Sequence, residues 1–224
     1  MRITVIIPTM NEEESIGLVL DEVNETLAKI GGGGEVLIVD TNSKDRTREI
    51  AREKGARVID EPQRGYGRAY KTGFKKAKGE LIATLDADMT YPARDIEKFV
   101  QAIEKYKLDF ITTDRLSEME EGAMNSTHRL GNWVLVTTMN ILFNMKLKDS
   151  QSGMWVFKRN ILKKLKLTSD GMPLSEEIKI EAWRRGLRCR EFKIRYRPRV
   201  GEVKLNTWKD GFRNLFFLFK KRLG

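Results

Sequence analysis

Leu81-Ile82-Ala83-Thr84-Leu85-Asp86-Ala87-Asp88 is the stretch on which the reading of this chain turns: a short apolar run passes directly into two carboxylates separated by one small side chain. A run of this kind reads as a strand buried on both faces, as in a parallel sheet, and ligands of open α/β sheets gather at the carboxyl ends of such strands. An isolated D-x-D is more often a surface turn whose second Asp caps the next helix. Its place after a buried strand, and the polar residues at other strand ends, favour a site.

Working outward, short β-branched runs alternate with charged helical stretches, the signature of βαβ units around a mostly parallel sheet. Strands are expected at 3–7, 36–39, 57–59, 81–85 and 110–113, with helices at 13–30, 45–54, 66–77 and 93–106. The first helix carries Ile16, Val19, Leu20, Val23 and Leu27 at a helical period. Beyond it the pattern predicts a helix over 129–143, a strand over 154–157, a helix over 174–185, a strand over 188–196 and a last helix over 208–223. This divides the chain into a catalytic domain, 1–205, and a terminal amphipathic helix, 206–224.

Composition narrows the chemistry. With 224 residues, 40% hydrophobic and 33% charged, the chain can bury one sizeable core. Its net charge of +10 suits partners bearing phosphate or other negative charge. Cys189 and His128 are the only residues of their kinds, which excludes an internal disulfide and makes any metal an oxygen-bound one. The N-terminal residues read as a strand and not as a cleaved leader, and the most apolar stretch, 133–143, is too short to span a bilayer and carries Thr137, Thr138 and Asn140. A cytoplasmic protein is expected.

Two carboxylates spaced like Asp86 and Asp88 can reach a hard divalent cation that bridges two phosphates, while Ala87 lets the backbone approach a nucleotide. The first strand ends in Pro8, Thr9, Met10, Asn11 and Glu12, and the second in Asp40, Thr41, Asn42 and Ser43. Asn11, Ser43 and Asp45 suit helix capping, whereas Asp40 suits hydrogen bonds from a base or ribose.

The succession P-T-x-N-E, I-V-D-x-x-S-x-D-x-T, R-G-x-G-x-A at 64–69 and L-D-A-D resembles family 2 glycosyltransferases of the GT-A fold, a Rossmann-like three-layer α/β/α arrangement. Asp114-Arg115, Arg129 to Asn132, D-S-Q-S-G at 149–153 and R-V-G-E-V-K-L at 199–205 extend the resemblance to dolichyl-phosphate and polyprenyl-phosphate sugar synthases. The resemblance implies that Pro8, Thr9, Glu12 and Ala87 line a nucleotide pocket in which Asp40 reads the base. Asp86 and Asp88 would handle the diphosphate and its Mg²⁺ or Mn²⁺. Arg115 and Arg129 would hold an acceptor phosphate, Arg199 and Lys204 would close over the donor, and Asp149 would lie near the reacting sugar. Glu177 matches an acidic position of the family, though pairing with Arg184 or Arg185 explains it equally. Two departures stand out: Thr90 where the family often has Gln in the metal shell, and Val203 where a small residue is usual.

The implied reaction is an inverting transfer from a nucleotide-sugar, GDP-mannose first and UDP-glucose next, to a dolichyl or polyprenyl phosphate. A soluble or polysaccharide acceptor is the alternative within the family. A nucleic-acid partner is not expected, since no recognisable binding signature accompanies the basic charge. In the last helix Trp208, Phe212, Leu215, Phe216 and Phe219 form one stripe beside Lys220, Lys221 and Arg222, which suits a peripheral position on the cytoplasmic membrane face or contact with a small membrane subunit. A core or dimer helix fits the periodicity as well.

Overall fold

The computed structural model describes residues 1–201 and 207–223, the side chains of 207–209 excepted, so Val203, Lys204 and the side chain of Trp208 lie outside the described residues. Seven strands form one sheet in the order β3-β2-β1-β4-β6-β5-β7. They are β1 (Ile3–Thr9), β2 (Gly34–Asp40), β3 (Arg57–Asp60), β4 (Leu81–Thr84), β5 (Phe110–Met119), β6 (Trp155–Lys158) and β7 (Cys189–Tyr196). Only β6 runs against its neighbours, between β4 and β5. The helices are α1 (Ile16–Lys29), α2 (Thr47–Glu53), α3 (Tyr66–Lys76), α4 (Asp95–Lys105), α5 (Ser126–Phe143), α6 (Leu174–Arg184) and α7 (Thr207–Leu223). A 3₁₀ turn at Arg159–Lys164, absent from the expected pattern, follows β6.

The three layers follow from strand alternation. Ile3, Val5 and Ile7 point to one face, where Ile16, Leu20 and Val23 of α1 and Ile96 and Phe99 of α4 cover them. Ile6, Leu37 and Phe157 point to the other, beneath Tyr70 and Phe74 of α3 and Ile178 of α6. Both faces are buried, which is why these strands read as continuous apolar runs.

β5 is longer than expected because its ladder with β7 breaks between Asp114 and Glu118. The Asp114 carboxylate accepts from the amides of Leu116 and Ser117 at 2.9 and 3.1 Å, an Asx-type turn that lifts the backbone out of register.

A third apolar cluster joins α5, α6 and α7 through Leu135, Met139, Ile180 and Leu218. Leu215, expected on the outward stripe of the last helix, packs inward with this cluster, and Phe212, Phe216 and Phe219 remain exposed.

Burial and the nearby Asp109 carboxylate push the Cys189 thiol up to about 12. At pH 8 its thiolate population is then about a thousandfold below that of the unfolded chain. Alkylation of native protein with a maleimide should be slow by that order and become fast in denaturant; comparable rates in the two states would contradict the burial described.

Candidate active site

Three strand ends on one edge of the sheet supply the site, each followed by a left-handed residue: Asn11 (φ 55°) after β1, Asn42 (φ 55°) after β2 and Met89 (φ 66°) after β4. Asn tolerates this conformation through local hydrogen bonding, whereas Met does not, so Met89 marks strain held beside the two carboxylates. A cleft of about 250 Å³ opens there, lined by Pro8, Thr9 and Glu12 of the first strand end, Asp86, Ala87 and Asp88 of the third, and Arg199. A second cavity of about 230 Å³ shares Asp88 and Arg199 with it and extends past Arg115, Asn132 and Gln151 to Asn214. Most of the sequence-derived residues thus meet at one place.

Burial, and then the charge of Asp88, push the Asp86 carboxyl up to about 7, against the opposing pull of Arg115 and Arg199. The Tyr70 hydroxyl donates to Asp86 Oδ1 at 3.3 Å. Two repelling carboxylates of this kind are what a divalent cation relieves. Among the described residues no group of three or more His, Cys, Asp or Glu could hold a metal. The two aspartates are oxygen donors of the type that suits a hard divalent ion, whose shell water and substrate oxygens would complete. Thr90 acts on Asp88 instead, its hydroxyl and amide donating to Oδ1 at 2.6 and 3.1 Å and fixing the carboxylate from behind.

Arg199 Nη1 lies 3.3 Å from Asp88 Oδ2 and its Nη2 lies 3.7 Å from Glu12 Oε1, so the arginine spans the cleft. Its buried Nε has no partner among the described residues. An orphan donor beside two carboxylates suits an incoming phosphate oxygen.

Four residues lie apart from the cavities. Asp40 is wholly buried and lines neither cavity; Thr9 Oγ1, the Ser43 amide and the Ser43 hydroxyl donate to it, with Arg48 at 3.5 Å. It ties the first two strand ends together. Asp149, also wholly buried, does not reach the cavities: it grips Arg115 in a fork, Nε to Oδ2 at 2.6 Å and Nη2 to Oδ1 at 2.9 Å. Burial pushes its carboxyl up, but Arg115 outweighs that and holds it at about 2. Glu177 is buried away from both cavities, accepting from the amides of Thr168 and Ser169 at 2.8 Å and pairing with Lys221 at 3.0 Å. Arg129 is exposed on the first turn of α5 and lines neither cavity. Arg115 does line the second cavity, although two of its nitrogens are committed to Asp149.

Asn214 went unmarked by sequence reasoning and Gln151 was marked only within D-S-Q-S-G; Lys179 also went unmarked, its buried ammonium donating to the carbonyls of Asp149 and Ser150 at 3.1 and 2.7 Å. The two glycines of R-G-x-G-x-A have a packing reason: a Cβ on Gly67 would stand 2.6 Å from the Ser169 carbonyl, so the 169–171 loop can close over α3 only there. The glycine of D-S-Q-S-G is similar, since a Cβ on Gly153 would lie 2.2 Å from the Tyr66 hydroxyl.

A mostly parallel sheet with layered helices, paired carboxylates at one strand end and an arginine facing them defines a glycosyltransferase of the GT-A architecture. Residues 4–166 match glycosyl transferase family 2, and the chain belongs to that family. It is 35% identical over 218 residues to the low-salt glycan biosynthesis hexosyltransferase Agl6 of Haloferax volcanii, covering 96% of this chain and 52% of that protein, so it spans about half the relative's length. It is 34% identical over 209 residues to the dolichyl-phosphate hexose transferase of the same organism, covering 93% of this chain and 89% of the relative. The fold resembles glucosyl-3-phosphoglycerate synthase of Mycobacterium tuberculosis, solved with Mn²⁺, UDP and glucosyl-3-phosphoglycerate: TM-score 0.77, 18% identity, 99% of this chain and 79% of that one.

The Arg115 to Asp149 pair sets a stability prediction. Because the folded carboxyl lies at about 2, below its unfolded value near 3.9, its contribution is present above about pH 4 and is lost as pH falls toward 2. Removing one partner strands a buried charge, so Asp149→Ala should lose about 3 to 5 kcal/mol at pH 7. The difference from wild type should shrink in urea melts run at falling pH; a constant difference would refute the assignment.

Proposed function

We propose that this chain transfers a hexose, with inversion, from a nucleotide-diphosphate sugar to the phosphate of a dolichyl or other polyprenyl phosphate, GDP-mannose being the favoured donor and UDP-glucose next. The observation that carries the reading is the pair of adjoining cavities: Asp88 and Arg199 line both, between a cleft suited to a nucleotide, which Asp86 also lines, and a second one that Arg115 lines. The dolichyl-phosphate hexose transferase likeness supports the acceptor.

Asp86 and Asp88 would hold the Mg²⁺ or Mn²⁺, which when bound supplies charge neutralisation to the leaving diphosphate. Arg199 then exchanges its contact with Asp88 for a phosphate oxygen, and Lys204, outside the described residues, takes the same part by resemblance. Thr90 keeps Asp88 aimed during that exchange. A phosphate monoester is already ionised near neutral pH, so the acceptor needs little help from a base. This suits an acceptor side where Arg115 takes up the Asp149 carboxylate. Arg115 presents its uncommitted edge to the acceptor side, and Arg129, at the surface of α5, meets the acceptor phosphate as it arrives.

The acceptor's lipid has a matching surface. No helix among the described residues is long and apolar enough to cross a membrane. α5 exposes Leu130, Trp133 and Ile141, and α7, packed against it, exposes Phe212 and Phe216 at 67% and 72%. An apolar face with basic residues at its border lies peripherally at a membrane surface.

Two measurements test this. Labelled sugar from GDP- and UDP-sugars should become organic-extractable in the presence of polyprenyl phosphate and Mg²⁺ or Mn²⁺, and Asp88→Ala or a chelator should reduce the rate by about a hundredfold or more. Donor turnover without extractable product would replace the lipid by a soluble or polysaccharide acceptor. Separately, Phe212→Asp/Phe216→Asp should weaken cosedimentation with anionic vesicles by about tenfold or more. Unchanged sedimentation would remove the membrane face from the reading.

A further inference from the structure

Glu176, beside Glu177, is wholly buried on the first turn of α6. Its Oε1 accepts from Gln151 Nε2 at 2.7 Å, while its Oε2 has no partner among the described residues. Burial pushes its carboxyl well above the usual carboxylate range, against the pull of Lys179 and the Gln151 hydrogen bond. At the other end of the Gln151 amide, Oε1 accepts from Asn214 Nδ2 at 2.8 Å. Asn214 belongs to α7, is 4% exposed, and lines the second cavity together with Gln151 and Arg115. The Gln151 backbone amide in turn donates to Asp149 Oδ1 at 2.8 Å, the same oxygen that receives Arg115 Nη2.

A primary amide has one donor end and one acceptor end, and here each is taken by a buried group from a different helix. Neither contact is needed to close the core, since α7 already docks through Leu218 and through Lys221, which pairs with Glu177 and Glu181 at 3.0 and 2.9 Å. A polar connection of this kind is costly to bury unless satisfied, and this one leaves Glu176 Oε2 and Asn214 Oδ1 without partners. Its geometric effect is to fix the Gln151 side chain on the cavity wall and to couple α7 with the 149–153 turn that carries Arg115's partner.

We propose that Glu176 and Asn214 are positioning residues for the acceptor: they clamp Gln151 from two sides, so that the acceptor-side wall is complete only while α7 is docked. This rests on the reading above that the second cavity receives the acceptor. α7 then does two things at once, meeting the membrane with its outer face and finishing the reaction site with its inner one.

The full-length variants Asn214→Ala, Asn214→Asp, Glu176→Leu and Glu176→Gln test it with two readouts. The first is hydrogen exchange of the Gln151 and Ser152 amides without ligands; the second is the separate KM values for nucleotide-sugar and polyprenyl phosphate. Asn214→Ala, Asn214→Asp (which loses the donor but keeps the size) and Glu176→Leu should raise exchange and acceptor KM about tenfold, with donor KM within about twofold. Glu176→Gln keeps an acceptor oxygen for Gln151 and should remain near wild type in both. Wild-type exchange in the three disruptive variants overturns the inference, as does raised exchange with unchanged acceptor KM, or equal rises in both KM values. Raised exchange in the variants of a protein that makes no lipid-phosphate product in any form would overturn the acceptor reading while leaving the Gln151 clamp standing.

Discussion

The guanidinium of Arg115 and the carboxylate of Asp149, joined in a fork and removed from water, hold the wall of the second cavity in place. Desolvating both charges costs several kcal/mol each, and the donors gathered round the carboxylate offset that cost. Asp149 also accepts from the amides of Arg115, Gln151 and Ser152, and Lys179 braces the same turn through its carbonyls. The field of Arg115 extends further, since it is among the charges that draw Asp86 back toward ionisation. One arginine therefore acts both on a carboxylate held charged within the fold and on the Asp86 and Asp88 pair at the strand end.

Asp86 and Asp88 are arranged in the opposite spirit. There, like charges are pressed together and left short of partners, with strained backbone at Met89 and Arg199 only loosely placed at 3.3 Å. Both Asp149 oxygens take short protein donors, whereas Asp86 accepts from Tyr70 at 3.3 Å. The two carboxylates differ in how completely protein donors satisfy them and also in exposure, Asp149 being wholly buried and Asp86 only partly.

That difference governs what was legible in the sequence. The strands and helices of the first half could be read from alternation and period because β1, β2 and β4 are central and buried on both faces. The L-D-A-D pair was legible because a strand and its end are contiguous in sequence. The partners of Asp40, Asp149 and Glu177 were not: Arg115 is 34 residues from Asp149, and Lys221 is 44 from Glu177. A motif match names a position and leaves open which long-range donor claims the carboxylate there. The antiparallel β6 and the inward turn of Leu215 were hidden for a related reason, since local pattern reports an apolar face and says nothing of what covers it. Gln151 and Asn214 carry no signal of their own; polar residues in a turn and on an amphipathic helix look alike whether they face solvent or each other.

α7 shows how the two kinds of face are combined. A helix meant only to rest on lipid would gain nothing from sending Lys221 between two buried glutamates, yet that ammonium neutralises Glu177 and Glu181 at the cost of its own solvation. Removing the helix would take the Lys221 counter-charge from Glu177 and leave Glu181 with Arg185 at 3.5 Å, so docking is favoured electrostatically as well as by burial of Leu218. A helix meant only to complete the core would not leave Phe212, Phe216 and Phe219 in water. The two demands are compatible because they fall on different sides of one cylinder, and the inner side ends at Asn214, on the wall of the second cavity. Whatever meets the outer aromatic face is thereby held at a fixed distance from that cavity, the constraint needed wherever one substrate is confined to a surface and the other diffuses freely.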